Sequence, residues 1–133
     1  VPDHVDALAW VCVRDGRLLA VRTRGKDIFY LPGGKREPGE SDLEALTREI
    51  GEELAVRLLP ETVTLLGRYV APAHGYPAGT LVRMACYTGE QVGEPRPNRE
   101  IAELAWLTAR DRDRIAPAGR LVLDDLYRAG RVD

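Results

Sequence analysis

Within six residues the chain places Arg48, Glu49, Glu52 and Glu53. At roughly 100° per helical residue, the three carboxylates fall within about 100° of one another and about 110° from the centre of the neighbouring leucine stripe. They therefore share one face beside the core. Like charges at these spacings destabilise a helix by roughly 0.2–0.5 kcal/mol per pair, and more if loops cover the face, so a positive partner is expected there. An oxygen-loving divalent ion such as Mg²⁺ suits carboxylates, waters and substrate phosphates, and no Cys/His cluster argues for zinc. Arg48 is placed to reach Glu52 at i+4 and fix its rotamer. The glycines of "LPGGK", just upstream, let backbone approach a ligand closely and leave a carbonyl free to coordinate.

The element that must carry this face is well marked. Ser41 can cap a helix while Glu44, three residues on, reaches back as the other half of a capping box, and Asp42 favours the same end of the dipole. Leu43, Leu46, Ile50 and Leu54 recur at helical spacing and predict one apolar stripe, with Pro60 closing the region. Upstream, residues 5–13 and 18–22 read as two strands joined through Asp15-Gly16, a hairpin turn signal. The run "IFYLPGG" reads as a short apolar strand stopped by Pro32 and two glycines. Downstream, "TVTLLGRYVA" and "TLVRMACYTGE" read as strands separated by "PAHGYPAG", a connection too long for a tight hairpin and a candidate for ligand contact. A Pro-rich loop, "VGEPRPNRE", precedes a strand "IAELAWL". A final helix begins near Pro117, with Leu121, Leu123, Leu126 and Tyr127 as its packing residues. No internal repeat or low-complexity tract is visible.

The 133 residues read as a single domain over 1–133, long enough to bury a core. With 44% hydrophobic residues, 30% charged and a formal net charge of −2, neither disorder nor a nucleic-acid surface of one sign is indicated. A small anionic ligand remains compatible with local basic groups: Arg22, Arg24, Lys26, Lys35 and Arg36. Cys12 and Cys86 lie in apolar strand-like runs and read as buried free thiols. No run approaches the ~20 apolar residues of a membrane span, and the first ten residues lack a basic-then-apolar signal pattern, so a cytosolic protein with no membrane partner is expected.

Gly34, Glu40, Arg48, Glu49, Glu52 and Glu53 stand at fixed offsets, an arrangement that arises by chance on the order of once in ten million start positions at average residue usage. The stretch over 34–56 resembles the signature of the Nudix hydrolases, G-x5-E-x7-R-E-U-x-E-E-x-G-U with U aliphatic. It departs at Ala55, where the signature has glycine, which touches the exit turn and not the carboxylate face. The strand order and "EIAELAW" extend a weaker likeness over most of the chain. The resemblance implies an α/β/α sandwich, with a mixed sheet between the box helix and the C-terminal helix.

It also implies Mg²⁺- or Mn²⁺-dependent hydrolysis of a nucleoside diphosphate linked to another moiety. Glu52, Glu53 and the Gly34 carbonyl would be metal ligands, and Glu49 a further ligand or the general base. Glu40 and Arg48 would be supports. The family often adds an acidic residue from a later loop; Glu100 matches best, with Glu103, inside the predicted strand, as competitor. Phe29 or Tyr30 would stack on a base or belong to the core, and Arg22, Arg24 and Lys35 would hold phosphates or face solvent. His74 and Tyr76 would line a pocket or a solvated loop, while His4 has no role. The short chain and "LPGGK" look like the mutator-type (MutT-like) nucleoside triphosphate pyrophosphohydrolases. An ADP-ribose or nucleotide-sugar substrate, hinted at by Pro72, is the alternative. A nucleotide sensor of the same fold is another, although sensors usually have eroded box carboxylates. Homodimers are common in the family.

Overall fold

The computed structural model describes residues 3–133. In chain order they form strands β1 His4–Trp10, β2 Val13–Arg14, β3 Arg17–Thr23 and β4 Gly33–Lys35, then helix α1 Asp42–Leu54. Strands β5 Arg57–Leu58, β6 Thr64–Pro72, β7 Leu81–Thr88, β8 Gln91–Val92 and β9 Ile101–Leu107 follow, and helix α2 Pro117–Arg128 comes last. Short 3₁₀ turns occupy Pro60–Thr62 and Ala109–Arg114. No helix among the described residues is long and apolar enough to cross a membrane.

Four strands lie in the order β4-β1-β7-β6, with β1 and β7 parallel and the other pairs antiparallel, so this sheet is mixed. A second sheet, β2-β3-β9, is antiparallel, and β5 pairs with β8. Because side chains alternate along a strand, each central strand feeds two cores. Leu8 and Trp10 of β1, Leu19 and Val21 of β3 and Ala85 of β7 pack with Ala45, Leu46, Ile50 and Leu54 of α1. Their neighbours Ala9, Leu18, Ala20, Met84 and Cys86 pack with Ala118, Val122, Leu123 and Leu126 of α2. The helices thus cover opposite faces, giving the expected α/β/α sandwich.

The first expected strand, over 5–13, is broken. Trp10 donates its N–H to the Pro32 carbonyl and Val11 to that of Tyr87, whereas the Cys12 carbonyl accepts from Leu19. Residues 11 and 12 carry the chain from one sheet to the other, and the Asp15-Gly16 turn joins β2 to β3 instead. Cys12, at this crossing, is only partly buried, unlike Cys86.

The strand expected in "IFYLPGG" is displaced as well. Phe29 and Tyr30 make isolated bridges, and the ladder proper begins at Gly33. Gly33 has φ +145°, and a Cβ there would overlap the Leu8 carbonyl oxygen and lie 2.9 Å from Ala9 Cα. Only glycine allows β4 this close to β1.

Helix α1 begins as expected: Ser41 accepts from the Glu44 N–H at 3.1 Å, and the Glu44 carboxylate accepts from the Ser41 N–H at 2.9 Å. Leu43 is not part of the buried stripe. It sits in the first turn and lines a shallow surface groove with Pro60, Val63 and Tyr87. In α2, Leu121 and Tyr127 are exposed, and the packing stripe is Ala118, Gly119, Val122, Leu123 and Leu126. Leu121 falls about 200° from Gly119, on the opposite side of the helix.

Candidate active site

Glu53 stands in the last turn of α1, 8% exposed, and accepts a hydrogen bond from the Gly33 N–H at 2.9 Å. Burial pushes its carboxyl up to about 8; the Gly33 hydrogen bond opposes this, and repulsion from Glu49, Glu100 and Glu52 adds to it. One turn earlier, Glu49 is half-buried, and a Cβ on Gly34 would come within 2.6 Å of its carboxyl carbon. Burial raises its proton affinity, opposed by Arg48 and assisted by Glu52 and Glu100. The two glycines of β4 thus serve two carboxylates differently: the Gly33 N–H seats Glu53, and the missing side chain of Gly34 leaves room for Glu49.

Arg48 does not have Glu52 as its main partner. Its guanidinium forms a fork on Glu40, with Nε–Oε2 at 2.8 Å and Nη2–Oε1 at 2.9 Å, and also donates to Glu49 at 2.9 Å and to the Lys35 carbonyl at 3.1 Å. Glu52 lies at 3.6 Å. A bidentate carboxylate brought in by the loop before α1 outcompetes the i+4 neighbour. Hydrogen bonds from Arg48 and from the Glu37 backbone hold the Glu40 carboxyl down to about 2. Glu52, partly exposed, lies between Arg48 and Arg99, the latter at 3.9 Å.

Glu100 immediately precedes β9, and its charge acts on both Glu49 and Glu53. Its loop is hydrogen-bonded to the end of α1. Arg96 donates its backbone N–H to the Leu54 carbonyl at 3.1 Å and Asn98 to that of Glu53 at 3.0 Å, while the Asn98 side chain donates to the Glu52 carbonyl at 2.9 Å. Glu103 faces away, bonded to Arg22 at 2.6 Å.

Beside the carboxylates opens a cavity of about 480 Å³, with Gly33, Gly34 and Glu53 in its wall. Its other walls are mainly apolar, from Val5, Ala7, Val21, Val82 and Met84 to Ala118 and Gly119 of α2. At the rim the Tyr30 hydroxyl is hydrogen-bonded to His74 Nδ1 at 2.5 Å, and the rings are edge-to-face at 5.8 Å. Tyr76, also in the β6–β7 loop, lies under the Lys35 ammonium at 5.1 Å. Pro72 and Lys26 complete the opening.

The other sequence candidates lie elsewhere. Val21 and Thr23 line the cavity, but Arg22, between them on β3, is tied to Glu103 and to the Lys26 carbonyl. Arg24 donates its guanidinium to the Arg99 carbonyl. Phe29 is buried in the α2-side core beneath Arg114. Sequence reasoning missed the Gly33 N–H and Asn98 altogether. Neither carries a residue-type signal, because both act on partners more than ten positions away.

The donor chemistry fits a hard divalent cation: buried and half-buried carboxylates that repel one another, beside a glycine carbonyl. Among the described residues, no three Asp, Glu, His or Cys side chains converge on one ion position as they stand. The carboxylates are turned to the Gly33 N–H, Arg48 and Arg99 instead. Rotation of Glu49 and Glu52 away from arginine would accompany binding.

In metal-free protein, burial of Glu53 makes stability fall with rising pH. The folded protein keeps a proton that the unfolded chain releases near 4.5, so this stabilisation is fully present below that pH and is lost up to about pH 8. The slope in this window approaches about −1.4 kcal/mol per pH unit. Urea unfolding in a chelator between pH 5 and 9 measures it, and a stability that rises across this range contradicts it.

A family model described as the NUDIX domain matches residues 2–126. A "MutT-like protein" of Streptomyces ambofaciens is 33% identical over 108 residues, covering 80% of this chain and 66% of that protein. An "ADP-ribose pyrophosphatase" of Methanocaldococcus jannaschii is 27% identical over 92% of this chain and 72% of its own length. The crystal structure of a MutT Nudix hydrolase from Burkholderia pseudomallei superposes with a TM-score of 0.74 at 26% identity, covering 92% of this chain and 97% of that one.

Proposed function

The chain belongs to the Nudix family, and from that premise we propose that it is a nucleoside triphosphate pyrophosphohydrolase, adding water across a phosphoanhydride to give a nucleoside monophosphate and pyrophosphate. The observation that carries this reading is the position of Glu53 and Gly34 in the wall of the 480 Å³ cavity. Through Glu53 the acidic face reaches a space of the size that takes a small-molecule ligand.

Glu49, Glu52, Glu53 and the Gly34 carbonyl hold Mg²⁺ or Mn²⁺ in this reading. When bound, such an ion neutralises phosphate oxygens and lowers the pKa of bound water. Glu49 is a further ligand or the general base in this reading, and Glu100 adds the further acidic group. Arg48 holds Glu40 and Glu49 in place and fixes the Lys35 carbonyl beside them. Lys35, whose ammonium lies over the Tyr76 ring, can turn toward a phosphate. Tyr30 and His74 supply ring surface for the base.

The likeness to an ADP-ribose pyrophosphatase supports a second reading, in which the phosphoanhydride joins a nucleoside to a sugar, as in ADP-ribose or a nucleotide sugar. Product analysis with and without Mg²⁺ separates the two, across canonical and oxidised (d)NTPs, ADP-ribose, nucleotide sugars, dinucleoside polyphosphates and NADH. Monophosphate plus pyrophosphate from a triphosphate is the expected result. Cleavage of ADP-ribose alone overturns it in favour of the second reading, and metal-dependent binding without turnover would identify a sensor.

A further inference from the structure

Three strands of observation meet at residues 96–100. The last turn of α1 has no basic side chain to complement its carbonyls, yet three of those carbonyls accept hydrogen bonds from this loop. Leu54 accepts from the Arg96 N–H, Glu53 from the Asn98 N–H and Glu52 from the Asn98 side chain. The Asn98 carbonyl, in turn, accepts from the Ile101 N–H at 3.0 Å, closing a turn around Arg99 and Glu100.

Arg99, inside that turn, has φ +49°. A left-handed conformation is costly for a residue with a side chain and persists only when the surroundings impose it. Two bonds from Arg24, just past β3, do so: its guanidinium donates to the Arg99 carbonyl, and its backbone N–H to the Glu100 carbonyl at 2.8 Å. The loop is pinned between the end of α1 and the end of β3, and Glu100 is the carboxylate it delivers to Glu49 and Glu53.

We infer that Asn98 and Arg24 are positioning residues, which clamp the 96–100 loop so that Glu100 faces the helical carboxylates and completes the cation site. The inference rests on the reading of Glu100 as a member of that site. It assigns Arg24 a role different from phosphate binding, since its guanidinium is spent on backbone. Outer partners of metal ligands typically change metal affinity or activity by roughly 10- to 100-fold when removed.

The test is calorimetric titration of the whole protein with Mn²⁺ alone, without substrate, for wild type, Glu100→Gln, Asn98→Ala, Arg24→Ala and the double variant Asn98→Ala/Glu100→Gln. Each single substitution should weaken Mn²⁺ binding by roughly tenfold. The double variant should bind no more weakly than Glu100→Gln, because Asn98 acts through Glu100. At saturating metal, Arg24→Ala should keep the wild-type KM and lose kcat.

Tyr69→Phe removes a 2.9 Å hydrogen bond to Asp125, a pair that neither lines the cavity nor touches the carboxylates of α1. It serves as a destabilised control and should bind Mn²⁺ as wild type does. Wild-type affinity in Asn98→Ala and Arg24→Ala, with loss in Glu100→Gln, overturns the clamp and leaves Glu100 in place. Wild-type affinity in Glu100→Gln removes Glu100 from the site and the clamp with it. Additive losses in the double variant, or a raised KM with unchanged Mn²⁺ affinity in Arg24→Ala, also overturn the positioning role.

Discussion

Glu53→Gln lowers metal-dependent turnover by on the order of 10³-fold or more, the range seen when an electrostatic group of a reaction site is deleted, while the protein stays folded. Gln keeps the shape, and its amide oxygen can still accept from the Gly33 N–H, so the 2.9 Å bond that seats the side chain survives. Only the negative charge is lost. That charge is costly without a bound cation, because Glu53 is buried and faces Glu49, Glu100 and Glu52. The same variant should therefore be more stable than wild type at pH 8 in a chelator, and its stability should lose most of the decline between pH 5 and 8. Steady-state rates over a Mg²⁺ series, with urea unfolding of both proteins, measure the two effects together. A variant with most of its activity would remove Glu53 from the site, and one that is less stable at pH 8 would show that the buried charge carries no such cost.

Gly33→Ala is expected to destabilise the fold by about 3 kcal/mol or more, combining overpacking with a strained φ. For a chain of this size that corresponds to a loss of roughly 10 °C in Tm. The added methyl would overlap the Leu8 carbonyl oxygen, and neither partner can move, since both are backbone of paired strands. Gly25→Ala is the control: Gly25 also has positive φ, at +83°, but nothing lies within 4 Å of its Cβ position. That substitution should cost only about 1 kcal/mol. Thermal unfolding of the pair separates overlap from backbone preference, and equal losses would show that the close β1–β4 approach is not what requires glycine. Because the Gly33 N–H seats Glu53, the surviving Gly33→Ala protein should also bind Mn²⁺ more weakly.

The start of α1 was legible because its determinants are local: a capping box lies within four residues, and Ser41 and Glu44 act there as their types suggest. So was β9, an apolar run whose expected span, "IAELAWL", is the observed one. The partner of Arg48 was not legible. On a helix alone Glu52 is its natural neighbour, and Glu40 wins only because the preceding loop folds back to offer a bidentate carboxylate. Helical spacing likewise placed Leu43 in the stripe without showing that its turn lies at the edge of the covered surface. The break at Val11 and Cys12 has no local signature, since both residues suit a strand, and it is the second sheet that draws the chain away. For β4 the usual signal was inverted, because glycines that ordinarily end a strand here permit it. The basic candidates were judged by charge alone, whereas strand alternation decided which side of β3 Arg22 would face.

The pairing of β3 with β9 joins Leu18 to Leu107 and leaves residues 19–106 between them. Parallel pairing of β1 with β7 spans nearly as far, from Val5 to Val82. Such non-local closure is slow, in the millisecond-to-second range typical of high contact order. During synthesis, α1 and the β2–β3 hairpin can form early, but β3 has no neighbour along most of its length until residues 101–107 have emerged. Glu100, at the start of β9, thus joins the carboxylates of α1 only late. A nascent chain that has produced the entire 34–56 stretch is still unable to organise the site that stretch encodes.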